Sequence, residues 1–297
     1  MNHIKDQIRC GAAYRLGLTG KGIGVAVLDT GIFLHRDFDS RVTGFADMVN
    51  RRNFAYDDCG HGTHICGIIG GSGRMSGGRY SGIAPGCNLI MVKVLDRKGN
   101  GYSSDVLAGI SWVLERKEQL GIRILNISVG ACSKRGMSEN SALVKGVNRA
   151  WDAGLVVVVA AGNNGPRTMS ITTPGISRKV ITVGCSDDDR EVLVGGNRMV
   201  DYSGRGPTAA CICKPDLVAP GCSVVSCSSR ADKYTIKSGT SMSTPIVSGA
   251  VALLLERFPD MSNKDVKLRL RESSVDIGLP RNQQGWGLLD VGKMLER

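Results

Sequence analysis

The sequence predicts an α/β fold in which a parallel sheet carries helices on both faces. Three observations lead there. Apolar runs of strand length alternate with stretches of helical periodicity along most of the chain. The runs are nearly continuous rather than alternating, as strands covered on both faces require. No linker interrupts the pattern, so one main domain is expected, residues 21–297, preceded by an N-terminal extension, residues 1–20.

In chain order, residues 1–20 are mixed and partly helical in character, and Gly20 and Gly22 end them. Ile23 to Leu28 is a β-branched apolar run that reads as a central strand and stops at Asp29-Thr30-Gly31. His61 stands among glycines and opens an expected helix through Gly70, with His64 one turn later. Asn88 to Leu95 is the next strand, and Val106, Ile110, Val113 and Leu114 give the following segment a helical face. Ile122 to Val129 is a strand, Ser141 to Trp151 a helix, and Leu155 to Ala161 the most apolar strand, running into Gly162-Asn163-Asn164-Gly165. Val180 to Gly184 and Asp216 to Gly221 read as further strands, with a charged surface loop at Asp187 to Asn197 between them. Gly239 to Pro245 is a small-residue turn, and Val247, Ala250, Val251, Leu254 and Leu255 make the next segment a buried helix. Ser262-x-x-Asp265 resembles a capping box, and a short helix ends the chain.

Composition sets outer bounds. The 297 residues are 42% hydrophobic and 22% charged, ordinary for a globular protein with a full core. The net charge of +11 comes from dispersed Lys and Arg without a long basic run or a nucleic-acid-binding signature, so nucleic acid is not an expected partner. No apolar stretch approaches the roughly 18 residues of a membrane span, and no signal-peptide core follows Met1. Ten cysteines without an export signal are expected to be reduced thiols in the cytoplasm.

The chemistry-bearing residues stand at strand ends and helix starts, positions that converge on one edge of a parallel sheet. Asp29 follows a strand, His61 opens a helix, Asn163 follows another strand and Ser241 opens the last buried helix. Ser241 is either a helix cap or a nucleophile at the positive end of that helix. A serine nucleophile needs a base, which His61 can be, with Asp29 fixing the imidazole tautomer and Asn163 donating its amide to an oxyanion. Other readings meet obstacles. An aspartic protease needs a second Asp-Thr-Gly or Asp-Ser-Gly, which is absent. A metal held by His61 and His64 lacks the H-E-x-x-H pattern, because Gly62 stands where the Glu base belongs. An α/β-hydrolase needs G-x-S-x-G and a different triad order.

Four segments in order, Ala26 to Ile32, Gly60 to His64, Ala160 to Gly165 and Gly239 to Pro245, resemble the subtilisin family of serine peptidases. Weaker likenesses at Ser81 to Pro85, Asn126 to Gly130, Asp216 to Gly221 and Gly285 to Gly287 extend the match over nearly the whole chain from about residue 14. The resemblance implies a three-layer α/β/α fold with a mainly parallel, about seven-stranded central sheet. It implies endopeptidase cleavage of protein or peptide substrates through an acyl-enzyme, with Asp29, His61 and Ser241 as triad and Asn163 as oxyanion donor. It further implies that Gly99, Gly101, Tyr102, Ser128, Val129 and Gly130 bind substrate as strands, with Ala160, Ala161 and Gly162 as a wall of the specificity pocket. Thr173-Pro174-Gly175 resembles a family turn with a cis proline.

Departures from the family pattern are also legible. The first strand begins at Ile23, leaving no room for a large prodomain, which resembles the intracellular branch. No cofactor is expected for catalysis. Asp37 matches one ligand of a structural calcium, but the Gly70 to Ser81 loop supplies no carboxylate, so that site is not expected while another cation site stays open. Ser243 stands where the family has Ala, and its hydroxyl is expected one helical turn from solvent.

Overall fold

The centre of the molecule is helix α6, Thr240–Arg257, which is buried from Met242 through Leu255. A helix enclosed on every side needs no amphipathic stripe, and its sequence is apolar or small all round. Around it, a computed structural model describing residues 1–130 and 139–296 places twenty strands and α-helices. They are α1 (Asn2–Gln7), α2 (Gly11–Arg15), β1 (Gly24–Asp29), β2 (Val42–Asp47), α3 (His61–Gly70), β3 (Asn88–Lys93), α4 (Ser103–Arg116) and β4 (Ile122–Ile127). Then come α5 (Ala142–Asp152), β5 (Val156–Ala160), β6 (Ile181–Cys185), β7 (Val192–Val194), β8 (Asn197–Met199), β9 (Leu217–Ala219), β10 (Val224–Cys227) and β11 (Tyr234–Lys237). After α6 follow α7 (Asn263–Ser273), α8 (Arg281–Gln284) and α9 (Val291–Met294).

The main sheet has seven strands in the order β2-β3-β1-β4-β5-β6-β9, and every pairing in it is parallel. All six residues of β1 are buried, as its continuous apolar run requires. Neighbouring residues of β3 show that both faces are covered. The Val92 side chain reaches Gly109 of α4, whereas Met91 reaches Gly62 of α3. Helices α3 and α6 pack together on one face and α4 and α5 on the other, which completes the expected three layers.

The first residues share the common core. Met1, Ile4, Ile8 and Cys10 are buried in it, Arg9 pairs with Asp290 at 2.7 Å, and Ile8 O accepts from Val291 N–H at 2.8 Å. The capping box at Ser262 and Asp265 is present, and the Thr173–Pro174 bond is cis.

Three features differ from the expectation. Asp187 to Asn197 is not merely a surface loop, because Val192–Val194 pairs with Asn197–Met199 as an antiparallel hairpin about Gly195-Gly196. A second hairpin, β10–β11, precedes the Gly239 to Pro245 turn. Edge strand β2 also lay outside the expected strands; it is mostly half-buried, so it carries no continuous apolar run. Among the described residues no helix is long and apolar enough to cross a membrane.

Candidate active site

Asp29 is the last residue of β1 and is fully buried. Its carboxylate accepts from Thr30 N–H at 2.7 Å and meets His61 Nδ1 with both oxygens, at 2.8 and 2.9 Å. An ionised carboxylate can only accept, so Nδ1 bears the proton and Nε2 keeps a free lone pair. Burial draws the imidazole downward, but the Asp29 charge and hydrogen bond outweigh it, and the His61 pKa lies above its ordinary 6.5.

The turn before His61 explains how the ring is held. Gly60 adopts a left-handed conformation, φ 88°, at the N-cap of α3. Gly62 must lack a side chain, because a Cβ there would stand 2.2 Å from the Gly31 carbonyl oxygen. Asp57 ties the turn together. One oxygen accepts from Thr30 Oγ1, Cys59 N–H and Gly60 N–H, and the other from Thr63 N–H and Thr63 Oγ1. Thr30 Oγ1 in turn accepts from Gly62 N–H at 2.9 Å. Asp57 and Thr30 therefore couple the end of β1 to the start of α3, a role absent from the expectations. The sequence signal was present: an Asp three to six residues before a helix start can accept from its orphan N–H groups.

Ser241 is the second residue of α6, and its hydroxyl donates to Ser128 O at 2.7 Å. In this conformer the hydroxyl is engaged there rather than by His61. Ser241, His61 and Asn163 nevertheless line one cleft of about 480 Å³ with Ser128, Gly130 and Gly162. Asn163 Oδ1 accepts from Thr240 N–H and Thr240 Oγ1, both at 3.0 Å, which leaves the amide Nδ2 to face the cleft.

The expected substrate residues divide into groups. Gly99, Ser128, Val129, Gly130, Ala160 and Gly162 line the cleft. Gly101 lines an adjoining, more apolar cavity of about 230 Å³, shared with Gly99, Val129, Leu143 and Pro174. Tyr102 is 78% exposed at the N-cap of α4 and lines neither cavity. Ala161 also lines neither, packing instead with Val144, Ile171 and Ile176. Leu193, Gly195, Ile236 and Lys237, on or beside the two small hairpins, border the cleft on its other flank. They were not foreseen, although Gly-Gly between short β-branched runs is a hairpin signal.

His64 does not join His61. It is fully buried, its Nε2 donates to Val224 O and Thr235 O at 3.1 and 3.2 Å, and burial pulls its pKa down to about 3.

The surroundings of Asp37 do not fit calcium. Its oxygens accept from Met75 N–H at 2.9 Å and Tyr234 OH at 2.7 Å, so the neighbouring loop presents a donor where an ion wants oxygen. His35 and Cys227 lie close by. His35 Nδ1 already accepts from Asp37 N–H at 3.1 Å, so no lone pair remains for an ion.

A profile of the Subtilase family matches residues 20–287. The chain belongs to the subtilase family of serine-type endopeptidases. This subtilase is 42% identical to Serine protease AprX of Bacillus subtilis (strain 168) over 290 residues, 92% of this chain and 65% of AprX. It therefore spans slightly under two thirds of the length of that relative. It is 34% identical to Subtilisin Savinase of Lederbergia lenta, over 96% of this chain and 95% of that one. Among solved structures it superposes on Sphericase with a TM-score of 0.77 at 31% identity, covering 92% of this chain and 93% of that chain. A cold adapted subtilisin-like serine proteinase gives a TM-score of 0.75 at 29% identity, covering 92% and 90%.

Proposed function

We propose that this subtilase cleaves internal peptide bonds through an acyl-enzyme formed on Ser241. The observation that carries the reading is the Asp29–His61 contact. It puts the proton on Nδ1 and leaves Nε2 as a base in the cleft that Ser241 and Asn163 also line. Ser241 Oγ attacks the scissile carbonyl carbon while its proton passes to His61 Nε2. The negative oxygen is received by Asn163 Nδ2 and the Ser241 backbone N–H, unsatisfied at the start of α6. The C–N bond breaks as His61 Nε2 returns the proton to the leaving amine. Water then releases the acyl group by the same steps in reverse.

A peptide laid along residues 128–130 as an added strand donates an N–H to the Ser128 carbonyl. That carbonyl now holds the Ser241 hydroxyl. Substrate pairing therefore competes with the hydroxyl for that carbonyl, which favours its rotation toward His61 when the cleft is filled. Gly99 and Gly101 supply the opposite strand, and Ala160 and Gly162 the pocket wall. The substrates are proteins or peptides, and neither nucleic acid nor membrane enters the reaction.

Catalysis runs on these side chains without a cofactor, and the Asp37 surroundings argue against a structural calcium there. All nine described cysteines are unbridged, which supports a reducing compartment such as the cytoplasm. The test is digestion of casein by the full chain and by Ser241→Ala. Fragments from the wild type alone are expected; equal digestion by both would overturn the assignment, as would a folded wild type that yields none.

A further inference from the structure

Behind the nucleophile's helix lies a group of side chains that the proposed reaction does not use. The Cys185 and Cys222 sulfurs and a carboxylate oxygen of Asp187 all lie within 4.8 Å of one another. Cys185 closes β6, and Cys222 follows the turn after β9. Both are buried, with the β7–β8 hairpin packed over them through Val192, Val194 and Met199. Asp187 Oδ1 accepts from Cys185 Sγ at 3.1 Å and from the backbone N–H groups of Gly221 and Cys222 at 2.7 and 3.1 Å, which fixes the carboxylate beside the thiols.

An independent observation points into the same volume. Ser243, expected near solvent, is fully buried, and its hydroxyl has no hydrogen-bond partner. Such an orphan costs roughly 1–3 kcal/mol and calls for an explanation. A point one Cβ length from Gly221 is 2.4 Å from Ser243 Oγ and 2.8 Å from Cys185 Sγ, so hydroxyl and thiol converge beside Gly221.

We propose that Cys185, Cys222 and Asp187, with the Ser243 hydroxyl as fourth donor, form a binding site for a thiophilic divalent cation, zinc. Two sulfurs on one tetrahedral zinc stand about 3.8 Å apart, from bonds of about 2.3 Å, and the observed grouping encloses that spacing. On binding, two S–H bonds break and two sulfur–zinc bonds form. Both protons leave to the buffer, the carboxylate and hydroxyl oxygens complete the tetrahedron, and no electron is transferred. Tyr202 OH, 3.2 Å from Cys185 Sγ and 3.1 Å from Cys222 Sγ, becomes a donor to one of the two thiolates, the outer support that metal ligands commonly have. Gly221 O accepts from Gly239 N–H at 3.0 Å, next to Thr240 and Asn163, so the ion would bear on the oxyanion turn. The site is distinct from the cleft and gives the peptidase a zinc-responsive element.

The test uses the full, reduced chain with cobalt(II) as a spectroscopic probe and zinc as competitor. One cobalt per chain is expected, with a thiolate-to-cobalt band in the near ultraviolet that stoichiometric zinc removes. The band should disappear in Cys185→Ala and Cys222→Ala and persist in Cys227→Ala, which removes a thiol of the other cluster. Asp187→Asn keeps the side-chain volume and should weaken zinc about tenfold or more, a readout that stands if a cysteine variant fails to fold. Absence of the band from the folded wild type, or its survival in both folded cysteine variants, would overturn the proposal. So would a Cys185–Cys222 disulfide that forms in place of metal uptake.

Discussion

Thr240 donates its backbone N–H to Asn163 Oδ1 at 3.0 Å, and together with the bond from Thr240 Oγ1 this sets which end of the Asn163 amide faces the cleft. An N–H cannot accept, so the carbonyl end is held inward and the NH₂ is presented to the cleft, where the proposed reaction would place its oxyanion. Asn163→Ala should lower kcat about 10²- to 10³-fold and leave KM nearly unchanged, a loss taken over from subtilisin's own oxyanion amide. Steady-state kinetics on a peptide anilide checks it; a loss confined to KM would mean that Asn163 binds substrate rather than the oxyanion.

In the proposed reaction the acid limb of the pH–rate profile should report His61, which must be unprotonated to act as base. Its pKa is raised by the Asp29 carboxylate against the pull of burial, so the limb of kcat/KM should lie above 6.5. Asp29→Asn should move it downward and reduce kcat about 10⁴-fold, because the tautomer is no longer enforced. A limb that stays in place in the variant would assign the titration to another group.

The neighbouring histidine makes the opposite demand on stability. His64 is held neutral, with its pKa pulled from 6.5 to about 3, chiefly by burial. The unfolded chain binds a proton there below pH 6.5 and the folded chain does not until about 3, so stability drains as pH falls through that window. His61, with a raised pKa, contributes stability below 6.5 that is lost as pH rises through its folded value. His64→Gln, which keeps a donor for the Val224 and Thr235 carbonyls, should show a shallower fall in melting temperature between pH 6.5 and 4. An unchanged slope would place the acid sensitivity elsewhere.

Gly62→Ala would drive a methyl to 2.2 Å from the Gly31 carbonyl oxygen and 3.1 Å from Met91 Cε. The first neighbour is backbone and cannot swing aside, so a cost of about 1–3 kcal/mol or more is expected, with a shift of the adjacent His61. Denaturant titration and activity should fall together; a stable, fully active variant would show that the turn is looser than described.

Leu193 and Ile236, 62% and 63% exposed, line a cavity together with His61, Asn163 and Ser241. Truncating both to Ala should raise KM for long substrates by roughly 1 kcal/mol per side chain covered and leave short substrates untouched. Equal effects on long and short substrates would argue for a distortion of the site instead.

Much of this was legible in the sequence. Asp29, Asn163 and Ser241 sit at the ends of strongly apolar elements, and such ends converge on one sheet edge. The small hairpin β7–β8 was not, because its strands have three residues each and follow a charged run that reads as loop. Ser243 was misplaced because helical periodicity assumes a solvent face, which the enclosed α6 does not have. The engagement of the Ser241 hydroxyl by Ser128 depends on a single side-chain torsion, which no sequence pattern specifies.

In the proposed reaction His61 activates Ser241 although the resting hydroxyl points to Ser128. Labelling the full chain with a fluorophosphonate and mapping the adduct by peptide mass tests it most directly. One adduct is expected, on Ser241, forming faster as pH rises through the His61 titration and all but abolished in His61→Ala. Labelling of Ser241 at the same rate without His61, or no labelling of the folded wild type, would contradict it.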